Sequence, residues 1–235
     1  MGEGIKSFDC AGHTTREINS FLKSVATSGP EAAAALVHPD SRHNLAVGIT
    51  QPLSITIDGN VGYYCAGLCD GIDVEINGDA GWGLAENLMS GSVILHGSAG
   101  SAACATVRGG FVAIQGDAGA RCGIAMKGGT VVVGGNVGTM SAFMMQKGVL
   151  IIGGDAGPGL GDSLYEGKIY IAGTAEAMGS DAVEAEMTED DLILVTEALA
   201  KAGIDKDPST FRKIQSGKKL YNFNTKEKEI WKTAL

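Results

Sequence analysis

The side chains of this sequence best suited to chemistry are few, and their spacing limits what they could do. His38, Asp40 and His43 form its one compact group of metal-ligand type, since imidazole nitrogens and carboxylate oxygens are ordinary zinc donors. Pro39 stands among them and works against a helix presenting both imidazoles on one face, so no metal is expected there. The cysteines Cys10, Cys65, Cys69, Cys104 and Cys122 are odd in number and scattered. They lack the C-x-x-C pair that zinc and many iron–sulfur sites use. Cys65 and Cys69 are four apart, a spacing that suggests a redox or metal pair. Yet the position of Cys65 recurs downstream as Leu84, Ala103, Cys122, Ser141 and Leu160, so buried core thiols are the expectation. The glycine-rich stretches contain no G-x-x-x-x-G-K-[ST] phosphate loop. His13 is isolated, and His96 lies alone between a core leucine and a glycine. With no evident Ser/His/Asp or Cys/His pairing, no catalytic, cofactor-binding or metal-binding residue is assigned.

The elements that would position any site must come from an unusual composition. Of 235 residues 36 are glycine, about 15% against a usual 7% or so, with only 5 prolines and 44% hydrophobic residues. Neither collagen nor a disordered linker has that balance. A net charge of −9 and an aromatic content of 6% argue against general affinity for nucleic acid or anionic membrane. No apolar run approaches the ~20 residues that span a bilayer, and residues 1–10 contain no signal-peptide core. Lys6 occupies the place where a myristoylation signal has Ser or Thr. A cytoplasmic protein with reduced thiols is expected.

The glycines are periodic. Gly59, Gly78, Gly97, Gly116, Gly135, Gly154 and Gly173 recur every 19 residues without insertion, and Gly62, Gly81, Gly100, Gly119, Gly138 and Gly157 follow three residues behind. Four and two residues before each register glycine stand Ile55 and Ile57, Val74 and Ile76, Val93 and Leu95, Val112 and Ile114, Val131 and Val133, Leu150 and Ile152, Ile169 and Ile171. A spacing of two puts each pair on one face of a short strand. Seven residues past each register glycine the chain is small, and ten past it apolar, as a narrow interior requires. The residue after it is Asn60, Asp79, Ser98, Asp117, Asn136, Asp155 or Thr174, types that hydrogen-bond their own backbone in a tight turn. Here the carboxylates alternate with neutral residues, which suggests a ladder avoiding like-charge neighbours.

A 19-residue unit with glycine corners reads as one coil of a β-helix, because the leucine-rich pattern that shares this period is absent. The fold class is therefore all-β, a right-handed single-stranded parallel β-helix of about seven coils, roughly 30 Å long, with helical extensions at both ends. The expected organisation is an N-terminal helical extension over 1–50, the β-helix over 51–174 and an acidic helix with a basic tail over 175–235. Thr14 and Glu17 form a capping box for a helix over Thr14–Ala26 with the stripe Ile18, Phe21, Leu22 and Val25, and Pro30–Val37 suggests a second helix. Thr188 with Asp191 caps a further helix, whose Leu192, Leu194, Val195, Leu199 and Ala202 can face one side and which ends near Gly203. Residues 175–200 hold eight acids and no Lys or Arg, whereas 201–235 hold nine Lys or Arg and four acids. The basic end either folds back on the acidic helix or serves as a docking arm for an acidic partner. Met140, Phe143 and Met144 crowd one coil and Tyr63, Tyr64 and Trp82 the first two, either as a binding surface or as packing for the flanking helices.

The repeats Gly59-Asn-Val-Gly, Gly78-Asp-Ala-Gly, Gly116-Asp-Ala-Gly and Gly154-Asp-Ala-Gly resemble the G-x-G-x-G domain that closes the large subunit of glutamate synthase and occurs in one component of formylmethanofuran dehydrogenase. The stretches Asn60-Val-Gly-Tyr-Tyr-Cys, Ala80-Gly-Trp-Gly-Leu-Ala-Glu-Asn, Met140-Ser-Ala-Phe-Met and Gly161-Asp-Ser-Leu-Tyr-Glu look more closely like the stand-alone G-x-G-x-G subunit of N-methylglutamate synthase. That resemblance implies a right-handed β-helix in a complex of three different subunits. One partner is then a class II glutamine amidotransferase-like subunit, and the other a glutamate-synthase-like subunit that holds FMN and an iron–sulfur cluster. The resemblance gives this chain neither role, because Gly2 stands where an amidotransferase has its catalytic Cys and a flavin barrel is absent. What remains is a non-catalytic scaffold in an enzyme that converts methylamine and glutamate to N-methylglutamate and ammonia. A formylmethanofuran dehydrogenase component, or a free-standing β-helix acting on carbohydrate, are the alternatives.

Overall fold

The computed structural model describes residues 5–220. Seven short strands carry the register pairs, namely β3 (Leu53–Asp58), β4 (Asp70–Asn77), β5 (Ser90–Leu95), β6 (Phe111–Ile114), β7 (Lys127–Val133), β8 (Lys147–Ile152) and β9 (Lys168–Ile171). Each pairs in parallel with the next, so that Ile55 lies beside Val74, Val74 beside Val93, and so on to Leu150 beside Ile169. The pairs are buried in one continuous core that also holds the five cysteines. The fold is a parallel β-solenoid, as the periodicity predicts.

Stacking explains the register glycines. A Cβ added to Gly78 would lie 2.6 Å from the carbonyl carbon of Gly59, so coils approach too closely there for any side chain. The polar residues that follow act differently from the expected local turns. Asn60 Oδ1 accepts the N–H of Asp79 on the next coil, Asp79 Oδ1 that of Ser98, and Asp117 Oδ1 that of Asn136, at 2.6–2.8 Å. Asp155 closes the ladder on Thr174 at 2.7 Å. Each side chain reaches the coil above because the paired backbones leave those N–H groups aimed at it.

The far side of every coil is an arc rather than a strand. Tyr64, Ala66 and Leu68 have left-handed φ near +57° to +61°, and Ala102, Cys104 and Thr106 repeat that alternation. Side chains rarely adopt this region. Hydrogen bonds between coils hold it in place, the Tyr64 N–H reaching the Trp82 carbonyl on one neighbour and the Ala66 N–H the Leu45 carbonyl on the other.

Two strands precede the regular repeat, β1 (Lys6–Asp9) and β2 (Ala33–Val37), joined by helix α1 (Thr15–Ala26). The expected capping box of Thr14 and Glu17 opens α1, and Ile18, Leu22 and Val25 close the end of the solenoid core. The helix expected over Pro30–Val37 is instead β2, which pairs in parallel with β1 and β3. Its alanines favour helix locally. Ala34 and Leu36 nevertheless point into the core beside Ile55 and Ile57, and that burial decides the outcome. A further arc follows at Asn44, Ala46 and Gly48, all left-handed. Asn19 of α1 caps its open edge, donating to the Asn44 carbonyl at 2.7 Å and accepting from the Ala46 N–H at 2.8 Å.

At the other end, β10 (Ala182–Ala185) leads to helix α2 (Glu189–Ala202), which stops at Gly203 in the left-handed conformation with φ 66°. Strand β11 (Arg212–Ser216) then inserts antiparallel between β9 and β10. The basic segment folds back on the acidic one as far as residue 220, with Arg212 paired to Glu184 and Lys213 to Asp191. Residues 221–235, which complete the expected basic tail, lie outside the described residues.

Candidate interaction surface

The outer face of the sheet is divided. Towards its start the outward residues are polar, including Thr56, Asp73, Glu75 and Ser92. From β6 onward apolar residues enter that face, and Ala113, Val132, Ile151 and Tyr170 form a second column at the 19-residue interval under α2. The expected apolar stripe of α2 needs correction, since Leu192 is 37% exposed while Asp191 is 2% exposed. Asp191 faces the sheet because its partners are there. It accepts from the Tyr170 hydroxyl at 2.5 Å and the Lys213 ammonium at 2.7 Å, and serves the Thr188 cap at 3.0 Å. Burial pushes its pKa up, but Lys213, Tyr170 and Thr188 outweigh burial and hold the carboxyl well below the usual carboxylate range. Burial and the same contact push the Tyr170 hydroxyl above its ordinary value.

On the arc side no described element performs such a covering role. Tyr63, Tyr64, Trp82 and Met144 are 40–54% exposed, with Met140 and Phe143 half-buried between coils. His43, Tyr63 and Trp82 stack in a column, with ring centroids 4.3 and 5.4 Å apart, and Tyr64 meets Tyr63 edge-on. This column accounts for part of the second glycine series. A Cβ on Gly81 would lie 2.6 Å from the Tyr63 ring, and one on Gly100 2.6 Å from that of Trp82. Leu68, which the sequence pattern did not single out, is 54% exposed beside Tyr64. Along the same arc Ala66 and Cys69 face the core, and Leu68 between them faces outward.

The ligand-like trio is not gathered. His38 Nδ1 is 3.0 Å from Asp9, Asp40 pairs with Arg42, and His43 Nδ1 accepts the Tyr63 N–H at 2.8 Å. Among the described residues no group of three His, Cys, Asp or Glu side chains could hold a metal ion. All five cysteines are free and buried. Burial pushes the Cys65 thiol up to about 12, while contact with Cys122 and burial raise Cys104, so these thiols stay protonated near neutral pH. His96 bridges Glu75 at 2.7 Å and Gln115 at 3.0 Å, and these contacts raise its pKa. His13 lies beside Glu17 of the α1 cap. Among the described residues no helix is long and apolar enough to cross a membrane.

The geometry thus presents a stack of coils with one apolar side that no described helix covers. No protein-family model matches this chain. Over 63 residues it is 46% identical to protein GlxC of Rhizobium meliloti (strain 1021), a match that spans 27% of this chain and 28% of that protein.

Proposed function

We propose that this chain is a non-catalytic scaffold subunit of a heteromeric glutamate-synthase-like enzyme. In its finer form, the enzyme is N-methylglutamate synthase, and the chain joins an amidotransferase-like subunit to one that holds FMN and an iron–sulfur cluster. The observation that carries this reading is the arc of exposed Tyr63, Tyr64, Trp82 and Met144 with half-buried Met140 and Phe143, on a solenoid built from the G-x-G-x-G repeat. Apolar and aromatic side chains of that kind concentrate where interfaces bury, and stacked coils hold them at fixed spacing. The local identity to protein GlxC adds support for kinship within this repeat family.

The test is purification of the tagged chain from its native host, with the accompanying polypeptides identified by mass and the preparation scanned for flavin absorbance. Two partner chains and a flavin spectrum are expected, with no turnover of methylamine and glutamate by the isolated chain. Copurifying molybdenum or tungsten would redirect the reading to a formylmethanofuran dehydrogenase component. A chain that elutes alone, or that is active alone, would refute the scaffold role.

A further inference from the structure

Although the protein is acidic, residues 97–153 hold four cations, Arg108, Arg121, Lys127 and Lys147, against the single acid Asp117. Asp117 belongs to the corner ladder, where it accepts the Asn136 N–H. Arg108, Lys127 and Lys147 follow the arcs of three successive coils, at the corner where each arc turns into its strand. The Lys127 N–H bonds to the Val107 carbonyl at 2.7 Å, and Lys127 and Lys147 lie directly opposite each other in the β7–β8 pairing. Among the described residues none of the four cations makes an ion pair or side-chain hydrogen bond.

Like charges directly opposite on neighbouring strands destabilise a sheet. The corner ladder of this solenoid avoids them, interposing Ser98 and Asn136 between Asp79, Asp117 and Asp155. The cationic strip does the reverse. By the 19-residue register it adjoins the arc positions Ile124, Met140, Phe143 and Met144, with Arg121 one coil before Met140, and the patch they form ends at Glu166, whose N–H bonds to the Gln146 carbonyl on the coil before it.

We infer that this patch docks an acidic, amphipathic polypeptide segment of another subunit, whose carboxylates neutralise the strip while its apolar side chains cover the arc. The inference rests on the scaffold reading and names the chemistry of the partner. Charge complementarity selects an acidic occupant. The net charge of −9 repels nucleic acid, and a bare anion would leave Met144 and its neighbours uncovered. The chain's own Glu184 and Asp191 are engaged with Arg212 and Lys213.

The experiment is zero-length carbodiimide cross-linking of the complex purified from its host, alongside Lys127→Glu/Lys147→Glu and Lys127→Ala/Lys147→Ala variants checked by circular dichroism. Cross-links are expected from Lys127 or Lys147 to Asp or Glu of a different polypeptide. Charge reversal should lower recovery of that polypeptide about tenfold or more, and alanine less so. Raising salt from about 0.1 to about 1 M, which shortens the Debye length from about 10 to about 3 Å, should also release it. Cross-links to Glu189 or Asp190 of a second copy would overturn the inference, as would nucleic acid on the strip or recovery indifferent to charge reversal. Each of those leaves the scaffold reading standing, whereas wild-type chain recovered without any other polypeptide removes both.

Discussion

Two sides of this solenoid carry apolar columns, and among the described residues only one is covered from within. On the outer face of the sheet, Ala113, Val132, Ile151 and Tyr170 lie under α2, which is fixed by the Asp191 clamp. On the arc, Met144 is 48% exposed. The contrast separates what the fold needs for itself from what it presents. An apolar column that serves stability acquires a helix and a satisfied buried carboxylate, whereas the arc rests on the solenoid backbone and has no such cover among the described residues.

The largest expected difference comes from breaking the clamp. Asp191→Ala leaves Lys213 and Tyr170 without their buried partner and removes half of a capping box, so unfolding free energy should fall by about 3–5 kcal/mol. The acid sensitivity of the wild type should change with it. A carboxyl whose pKa is lowered by folding stabilises above its unfolded value near 3.9, and that contribution disappears as pH falls through the folded value. Urea midpoints should therefore drop more steeply below about pH 4 in the wild type than in the variant. Parallel slopes would show that Asp191 does not hold the helix.

Next come two paired truncations. Val132→Ala should cost about 2 kcal/mol, since it removes buried methyl groups beneath α2. Met144→Ala on the arc should change stability by less than about 0.5 kcal/mol. Equal costs would mean that the arc is part of the core after all. A backbone version should give opposite signs. Ala113→Gly in a buried strand should destabilise by about 1 kcal/mol, whereas Ala102→Gly, at φ 56°, should be neutral or stabilising by up to about 1 kcal/mol. Denaturant midpoints of all four variants would decide both comparisons.

These contrasts also mark how far the amino-acid pattern could be read. Ile55 and Ile57 and their successors were legible because a short strand buries alternate residues and the repeat does so seven times without a gap. Thr14 with Glu17 and Thr188 with Asp191 were legible because caps are local chemistry. Strand β2 was not, because Ala33 pairs with Ser54, 21 residues on, which breaks the 19-residue register. Asp191 was missed on the buried face because its burial depends on Tyr170 and Lys213, each about twenty residues away. The left-handed arc was hidden for a related reason. Tyr64, Leu68, Arg121 and Met140 carry no local preference for positive φ, and only the neighbouring coils impose it. The second apolar column had a readable signal in the spacing of Ala113, Val132, Ile151 and Tyr170. Of the residues proposed for contact, Tyr63, Tyr64, Trp82 and Met144 are exposed and Met140 and Phe143 half-buried, yet what covers them depends on other molecules.

A last, small effect lies where the polar and covered halves of the sheet meet. Gln115 spans that boundary, donating to the Ala202 carbonyl at the end of α2 and facing His96, which in turn contacts Glu75. Contact with Glu75, then with Gln115, raises the His96 pKa. A histidine whose pKa is raised by folding stabilises fully below its unfolded value near 6.5, and loses that contribution as pH rises through the folded value. The pair is solvent-exposed, so His96→Ala should cost only about 0.2–1 kcal/mol near pH 5.5 and less near pH 8.5. This dependence has the opposite direction to that of Asp191, whose contribution fades on acidification. Imidazole titration by NMR, with urea midpoints at the two pH values, measures it. A cost that grew with pH would show that His96 serves the sheet as a neutral hydrogen-bond bridge and not as half of an ion pair.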